Sequence, residues 1–201
     1  MFWRAGERAA ARPIPFDADR PAVEAARRDP RAFEPLYRKY VAQVYSYAIY
    51  ELRDPHRAED VTAGVFVRAL TALPRFHESG DGDASSFRVW LFRIARNLVA
   101  NERRHDRRHP QTDLEGVFEL LAADEPSTRA EERETVALAW RAIDHLPEDR
   151  RRALVLRFVE EMSTAEIAAI LGRSEGAVRV LIHRALRAVA ADLRRRRGPR
   201  P

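Results

Sequence analysis

The chain has 201 residues, with 36 basic and 31 acidic side chains and a formal net charge of +5, which suits a polyanionic partner such as nucleic acid. It has no cysteine, so disulfides and thiolate zinc sites are excluded and the reducing cytoplasm is the expected compartment. No stretch approaches the ~18 apolar residues of a membrane span, and the N-terminus lacks the apolar run of a signal peptide, so we expect a cytoplasmic protein without membrane contact.

The first part of the chain predicts a leader and two helices. Residues 1–18 show no periodicity, and we expect them to be flexible. Asp29-Pro30 and Asp54-Pro55 each place a capping side chain before a proline suited to the first helical turn, and apolar residues follow at spacings of three and four. Pro74 ends the second helix.

A third helix is predicted after a loop at residues 77–86, with Ser85 or Ser86 as its cap. Phe87 and Trp90 lie on its apolar stripe, where a role in the core is favoured over stacking on unpaired bases. Basic and amide side chains share this helix, and such a face suits contacts with phosphates and bases. They are Arg88, Arg93, Arg96, Asn97, Asn101, Arg103 and Arg104.

The helical pattern breaks at residues 106–127, and the part from 113 to 125 holds five acidic residues and no basic one. We place a linker there. It separates a domain at 19–105 from a second domain at 128–195, which a basic tail at 196–201 follows. No strand pattern occurs, so the expected fold is all-α, with two small helical domains joined by an irregular acidic linker.

The second half predicts four helices. Thr128 and Glu131 have the spacing of a capping box and start the first of them. Pro147 either closes that helix or opens the next. The other three are expected at residues 148–160, at 164–171 and from 174 to about 195.

The last two helices read as a helix-turn-helix. Ser163 and Glu166 form a capping box, Ala168 is small where the helices cross, Gly172 permits a left-handed turn, and Ser174 caps the second helix. An ordinary helical hairpin, with small residues serving packing alone, is the alternative. The outer face of the second helix is the candidate DNA reader and carries Glu175, Arg179, His183 and Arg187, with Ser174 and Gly176 at its tip.

The basic run at Arg194–Arg197 suits phosphate contacts or a frayed terminus. Signatures of catalysis are missing, since neither an HExxH pattern nor a phosphate-loop glycine pattern occurs. We therefore expect no enzymatic activity, no metal site and no cofactor.

Four segments together resemble the extracytoplasmic-function sigma factors of the sigma-70 family. Residues 87–97, with Arg103-Arg104 after them, are similar to the promoter-melting helix of that family. Residues 32–40 resemble its first helix, residues 58–70 its polymerase-docking helix, and residues 143–193 its C-terminal domain. The resemblance covers roughly residues 20 to 195.

The resemblance implies a function in transcription initiation. The N-terminal domain would bind the clamp of the largest subunit of core RNA polymerase through Glu59, Asp60 and Phe66, and it would open the minus-ten element. An extruded base would enter the loop at 77–86. The positions placed near the melted strand are Arg93, Arg96, Asn97, Asn101 and Arg104.

The same resemblance implies that the C-terminal domain reads the minus-thirty-five element and binds the flap of the second-largest polymerase subunit. The promoter-reading positions are Ser174, Glu175, Gly176, Arg179, His183 and Arg184. The acidic linker would thread toward the active-site and RNA-exit channels, and an anti-sigma factor is expected as a further partner.

The docking segment departs from the family at Ala63 and Gly64, where a glutamine and an acid are usual. Because glycine lowers helix propensity by up to about 1 kcal/mol, this helix is either weaker or packed closely against a neighbour. Two other functions are considered. One is a stand-alone helix-turn-helix regulator that dimerises through its N-terminal helices, and the other is a polymerase adaptor that does not melt DNA.

Overall fold

A computed structural model describes residues 18–77, 86–106 and 138–197. Within these three ranges every regular element is helical and none is a strand, so the all-α prediction is confirmed. Nearly all of the predicted leader and loop, most of the acidic linker, the Thr128–Glu131 capping box and the end of the basic tail lie outside the described residues. None of the described helices is both long enough and apolar enough to cross a membrane.

The described part of the N-terminal domain contains four α-helices. They are α1 (Arg20–Arg28), α2 (Glu34–Leu52), α3 (Pro55–Ala72) and α4 (Ser86–Asp106). The helix α1 was not predicted. Asp29 accepts a hydrogen bond from the Arg31 amide at 2.9 Å, as a cap does, but it starts a short 3-10 turn that leads into α2. Asp54 caps α3 as expected, accepting from the Arg57 amide at 3.1 Å.

The C-terminal domain contains α5 (described over residues 138–144), α6 (Glu148–Leu154), α7 (Thr164–Leu171) and α8 (Glu175–Arg197). Pro147 lies directly before α6 and therefore opens that helix. The predicted continuous helix at 148–160 is wrong in its second half, because Val155–Val159 adopts one π-helical segment after α6. The wider π turn shifts the direction in which later residues point. Glu160 directly follows this segment.

One core joins the two domains. Tyr47 of α2 and Phe87 and Phe92 of α4 are fully buried, and Met162 and Ile167 from the C-terminal half belong to the same apolar cluster. A smaller cluster of Leu146, Leu154 and Ala185 holds α8 against α6. As a result, α7 packs directly on α4, which brings the helix-turn-helix next to the basic helix.

Candidate nucleic-acid interface

The helix-turn-helix has the local bonds that its sequence predicts. The Ser163 hydroxyl accepts from the Glu166 amide at 3.1 Å, while the Glu166 carboxylate accepts from the Ser163 amide at 2.8 Å. Gly172 follows α7 with φ of 66°, in the left-handed region that glycine enters without steric cost. The Ser174 hydroxyl then accepts from the Ala177 amide at 3.2 Å and caps α8. The turn between the helices is therefore fixed by local chemistry.

Four inward positions of this unit are buried, and three others, Leu171, Leu181 and Ile182, are partly buried. Ile167, Ala168, Val178 and Ala185 all lie in the core. The outer positions are all exposed, and they are Ser174, Glu175, Gly176, Arg179, His183 and Arg184. Arg179 and Glu175 form an ion pair at 2.8 Å on this face. The first turns of α8 thus present side chains that donate and accept hydrogen bonds, as direct readout in a major groove requires.

On α4, the amide side chains lie on the outside of the domain. Asn97 and Asn101 are exposed, and the Arg104 guanidinium donates to the Asn101 side-chain oxygen at 2.5 Å. Asn97 also lines a groove of about 410 Å³ between α3 and α4, together with Trp90 and Ile94. This groove combines an amide with an apolar wall, a suitable lining for a planar base.

We expected both aromatic residues of α4, Phe87 and Trp90, to lie in the core, and only one of them is fully buried there. Phe87 is completely buried. Trp90 packs its ring 4.8 Å from that of Phe76 but is only partly buried, and its remaining surface faces the groove.

The structure places two other basic residues of the predicted set against the C-terminal domain. Arg93 donates to the main-chain carbonyl of Ala169 at 2.8 Å, and Arg96 donates to that of Ile170. Both carbonyls lie in the last turn of α7. Of the five residues predicted near the melted strand, Asn97, Asn101 and Arg104 are thus exposed, whereas Arg93 and Arg96 donate to the end of α7.

A neighbouring arginine also contacts the C-terminal half. The Arg88 guanidinium lies 3.4 Å from the Glu166 carboxylate and donates to the Glu160 carbonyl and, at 3.1 Å, to Gln43. Arg88 therefore ties together α2, α4 and the start of the helix-turn-helix.

A buried charge cluster between the domains was missed by the sequence reasoning. Glu51 at the end of α2 has a fully buried carboxylate, 3.0 Å from Arg103 of α4 and 3.7 Å from both Arg151 and Arg152 of α6. Arg152 also pairs with Glu148. The signal was present, since Glu51 falls on the apolar stripe of α2, where a charge must find a partner.

A second buried carboxylate, Glu160, lies where the C-terminal domain meets α2. Its side chain is hydrogen-bonded to Ser46, and one of its oxygens has no hydrogen-bond partner among the described groups. Burial raises the pKa of Glu160 to about 7, although Ser46 and the charge of Arg88 oppose the shift. The nearby carboxylate in turn adds to the rise that burial causes in the pKa of Tyr50.

The predicted polymerase-binding residues divide into two groups. Glu59 and Asp60 are exposed on α3. Phe66 is only 6% exposed and packs edge to face against Phe33 and Tyr37, with ring centroids 6.4 and 4.8 Å away. Phe66 therefore supports α3 from inside, with its ring packed in the core of the chain.

Comparisons with known proteins agree with this geometry. Residues 36–109 match the family Sigma-70 region 2, and residues 137–189 match Sigma-70, region 4. The chain is 34% identical over 163 residues to the ECF RNA polymerase sigma factor BldN of Streptomyces coelicolor, covering 79% of this chain and 59% of that relative.

Two further relatives extend the match to nearly the whole chain. The ECF RNA polymerase sigma factor SigC of Mycobacterium tuberculosis is 34% identical, covering 85% of this chain and 88% of SigC. The solved structure of CnrH in complex with the cytosolic domain of CnrY is similar with a TM-score of 0.65 at 28% identity, covering 88% of this chain and 97% of CnrH.

Region 2 matches the first half of the chain and region 4 the second half, in the same order as the two described domains. This arrangement does not favour a stand-alone regulator or an adaptor. The chain therefore belongs to the extracytoplasmic-function sigma factors of the sigma-70 family, which bind core RNA polymerase and direct it to promoter DNA to initiate transcription.

Proposed function

We propose that α8 reads the minus-thirty-five element of the promoter with its first three turns. The observation that carries this proposal is the continuous exposed face that begins at Ser174, directly after the Gly172 turn. Arg179 grips guanine edges there, Glu175 accepts from a cytosine amine, and His183 and Arg184 reach the neighbouring bases or phosphates. The helix N-terminus adds a favourable partial positive charge toward phosphate.

We propose that α4 opens the minus-ten element. Asn97, Asn101 and Arg104 contact the non-template strand directly, and Arg93 and Arg96 bind its phosphates once they are released from α7. The groove beside Trp90 and Asn97 is suited to an unstacked base. Opening is driven by binding energy alone, so the proposal includes no catalytic step and no cofactor.

The remaining partners follow from the family. We propose that Glu59 and Asp60 on α3 face the clamp of the largest polymerase subunit and that the C-terminal domain rests on the flap of the second-largest one. The acidic segment at 106–127 is the linker that runs between them. CnrH was solved with the cytosolic domain of CnrY, and by analogy we propose an anti-sigma factor as a further partner in the cytoplasm.

A transcription assay with sigma-free core polymerase and a pooled genomic template tests the promoter roles. We expect discrete transcript starts that share two upstream boxes. Asn97→Ala should lower their yield about tenfold or more, since a lost base contact costs ~1–3 kcal/mol. Arg179→Ala should relax one position of the distal box, while Arg28→Ala, an exposed arginine on α1, should change neither.

The assay also separates the sigma function from its nearest rival. If no discrete starts appear although the chain binds core polymerase, the melting role of α4 is wrong and an adaptor is the better description. If Arg179→Ala leaves the distal box unchanged, α8 does not read it through that residue.

A further inference from the structure

The outer face of α8 carries an apolar side chain between its polar ones. Val180 is 47% exposed and directly follows Arg179. It lies one helical turn after Gly176 and one turn before Arg184, and all of these neighbours are exposed. Val178, by contrast, is fully buried on the inward side of the helix. Val180 therefore lies within the face that we propose reads the promoter.

The fold gives no reason for a valine at this position. Val180 belongs to neither apolar cluster of the described residues. Its branched side chain loses rotamer freedom in a helix, so valine is a weaker helix former than the arginine and the leucine on either side of it. Single exposed apolar side chains are common on protein surfaces, so exposure alone implies no function. Val180 differs from such residues in its position, because it lies among side chains that form hydrogen bonds.

Gly176, one turn before Val180, has no structural reason within the fold either. It lies inside α8, and its backbone is not in the left-handed region. Among the described residues, the nearest atom that an added Cβ would meet is the Ser174 hydroxyl oxygen, 4.0 Å away. Glycine weakens a helix, but it lets a backbone approach a ligand closely. Gly176 thus allows α8 to come near the floor of a major groove and brings Val180 within reach of base edges.

Thymine offers the matching group in the major groove. Its 5-methyl group projects there beside the hydrogen-bonding atoms, and apolar side chains recognise it by contact. Adjacent residues have Cα atoms ~3.8 Å apart, and adjacent base pairs are stacked ~3.4 Å apart. A helix that places Arg179 on one base pair therefore places Val180 on a neighbouring one.

We propose that Val180 selects a thymine in the minus-thirty-five element, at a base pair next to the one that Arg179 reads. Its two methyl groups contact the 5-methyl group of that thymine, and the contact removes both apolar surfaces from water. This inference rests on the proposed reading of the element by α8 and adds a specificity-determining residue to it. Val180 was not among the promoter-reading positions expected from the sequence.

The test uses the holoenzyme formed by the full chain and sigma-free core polymerase, on promoter duplexes found in the pooled transcription assay. Each thymine of the distal box, on either strand, is replaced in turn by deoxyuridine, which lacks only the 5-methyl group and still pairs with adenine. Transcript yield is measured at subsaturating holoenzyme, so that it follows promoter affinity. We expect one replacement to lower the yield about three- to fourfold, the equivalent of one methyl group left in water.

Three variants decide whether Val180 makes this contact. Val180→Ser removes both methyl groups at little cost in helix propensity and should give equal yields on the thymine and deoxyuridine duplexes. Val180→Ile keeps a branched apolar side chain and should keep the difference in yield. Leu186→Ser makes a similar change at another exposed apolar residue of α8 and should also keep it. The ratio of the two yields does not depend on how much of each variant is folded.

The outcomes separate this inference from the proposed function. If Arg179→Ala relaxes one position of the box but no thymine is sensitive to deoxyuridine, Val180 selects nothing and the reading by α8 stands. A sensitive thymine that is not next to the base pair relaxed by Arg179→Ala, or one that stays sensitive in Val180→Ser, also overturns the inference. If neither Arg179→Ala nor Val180→Ser changes any base preference, the reading of the element by α8 itself fails.

Discussion

Arg96 on α4 donates a hydrogen bond to the main-chain carbonyl of Ile170, which lies 74 residues further along the chain. Ile170 is two residues before Gly172, where α7 ends in the turn of the helix-turn-helix. The turn that orients α8, the helix proposed to read the promoter, is therefore next to the main-chain carbonyl that binds Arg96 of α4. A change in the conformation of this turn will affect both proposed DNA contacts.

Gly172→Ala tests the turn itself. Gly172 has φ of 66°, and an added Cβ would meet nothing within 4 Å. The expected loss is therefore conformational and amounts to about 1 kcal/mol of the free energy of unfolding, measured by urea titration. Gly172→Asn should lose less, because asparagine enters the left-handed region more readily. Equal losses for the two variants would contradict this explanation.

Gly64→Ala tests whether packing requires the glycine that departs from the family pattern in α3. A Cβ at this position would lie 3.6 Å from the Leu98 side chain, an ordinary contact distance. We expect Gly64→Ala to stabilise the chain by up to about 1 kcal/mol in urea titration, since alanine is the better helix former. The exposed neighbour Ala63→Gly should destabilise by a similar amount. Destabilisation by Gly64→Ala would show that α3 and α4 need glycine for their close approach.

Glu51→Ala tests the buried charge cluster. The substitution leaves Arg103, Arg151 and Arg152 without their shared carboxylate, and breaking a buried pair costs about 3–5 kcal/mol. Thermal unfolding should show a large drop in Tm. The matched control is Glu24→Ala, which removes an exposed ion pair with Arg20 and should cost at most about 1 kcal/mol. Similar losses for both variants would contradict the structural role of Glu51.

Glu160→Gln tests the pH dependence of the interface. The pKa of Glu160 is raised from 4.5 to about 7, so the folded chain holds this proton more tightly than the unfolded chain does. Its protonation contributes stability that is fully present below pH ~4.5 and is lost as the pH rises through ~7. Arg88 from α4 and Ser46 and Tyr50 from α2 face this carboxylate.

We therefore expect Glu160→Gln to unfold at higher urea than the unmodified chain at pH 8, with little difference at pH 5. The measurement is a urea titration at each pH, and the difference at pH 8 should not exceed about 3–4 kcal/mol, the free-energy equivalent of raising the pKa from 4.5 to about 7. A difference that does not change with pH would mean that folding does not raise the pKa of Glu160.

The sequence by itself determined most of the helices and the whole of the turn unit. The residues that cap or turn these helices act on backbone groups within four residues of themselves, so their effects can be predicted from the local sequence. They are Asp54, Ser163, Gly172 and Ser174. The family resemblance depended on the same local strings. Sequence reasoning missed α1, a nine-residue helix that buries only Val23 and Ala26 and begins without a side-chain cap bond. It also placed a continuous helix where the π-helical Val155–Val159 occurs.

Only the tertiary structure decided what the charged residues of α4 contact. A basic helix face looks the same in sequence whether its arginines reach solvent, DNA or another part of the chain. Arg93 and Arg96 find helix carbonyls more than 70 residues away, and Glu51 is buried because α4 and α6 both bring arginines to it. Such pairing depends on which surfaces lose contact with water when the domains pack. The choice of those surfaces is a property of the whole chain.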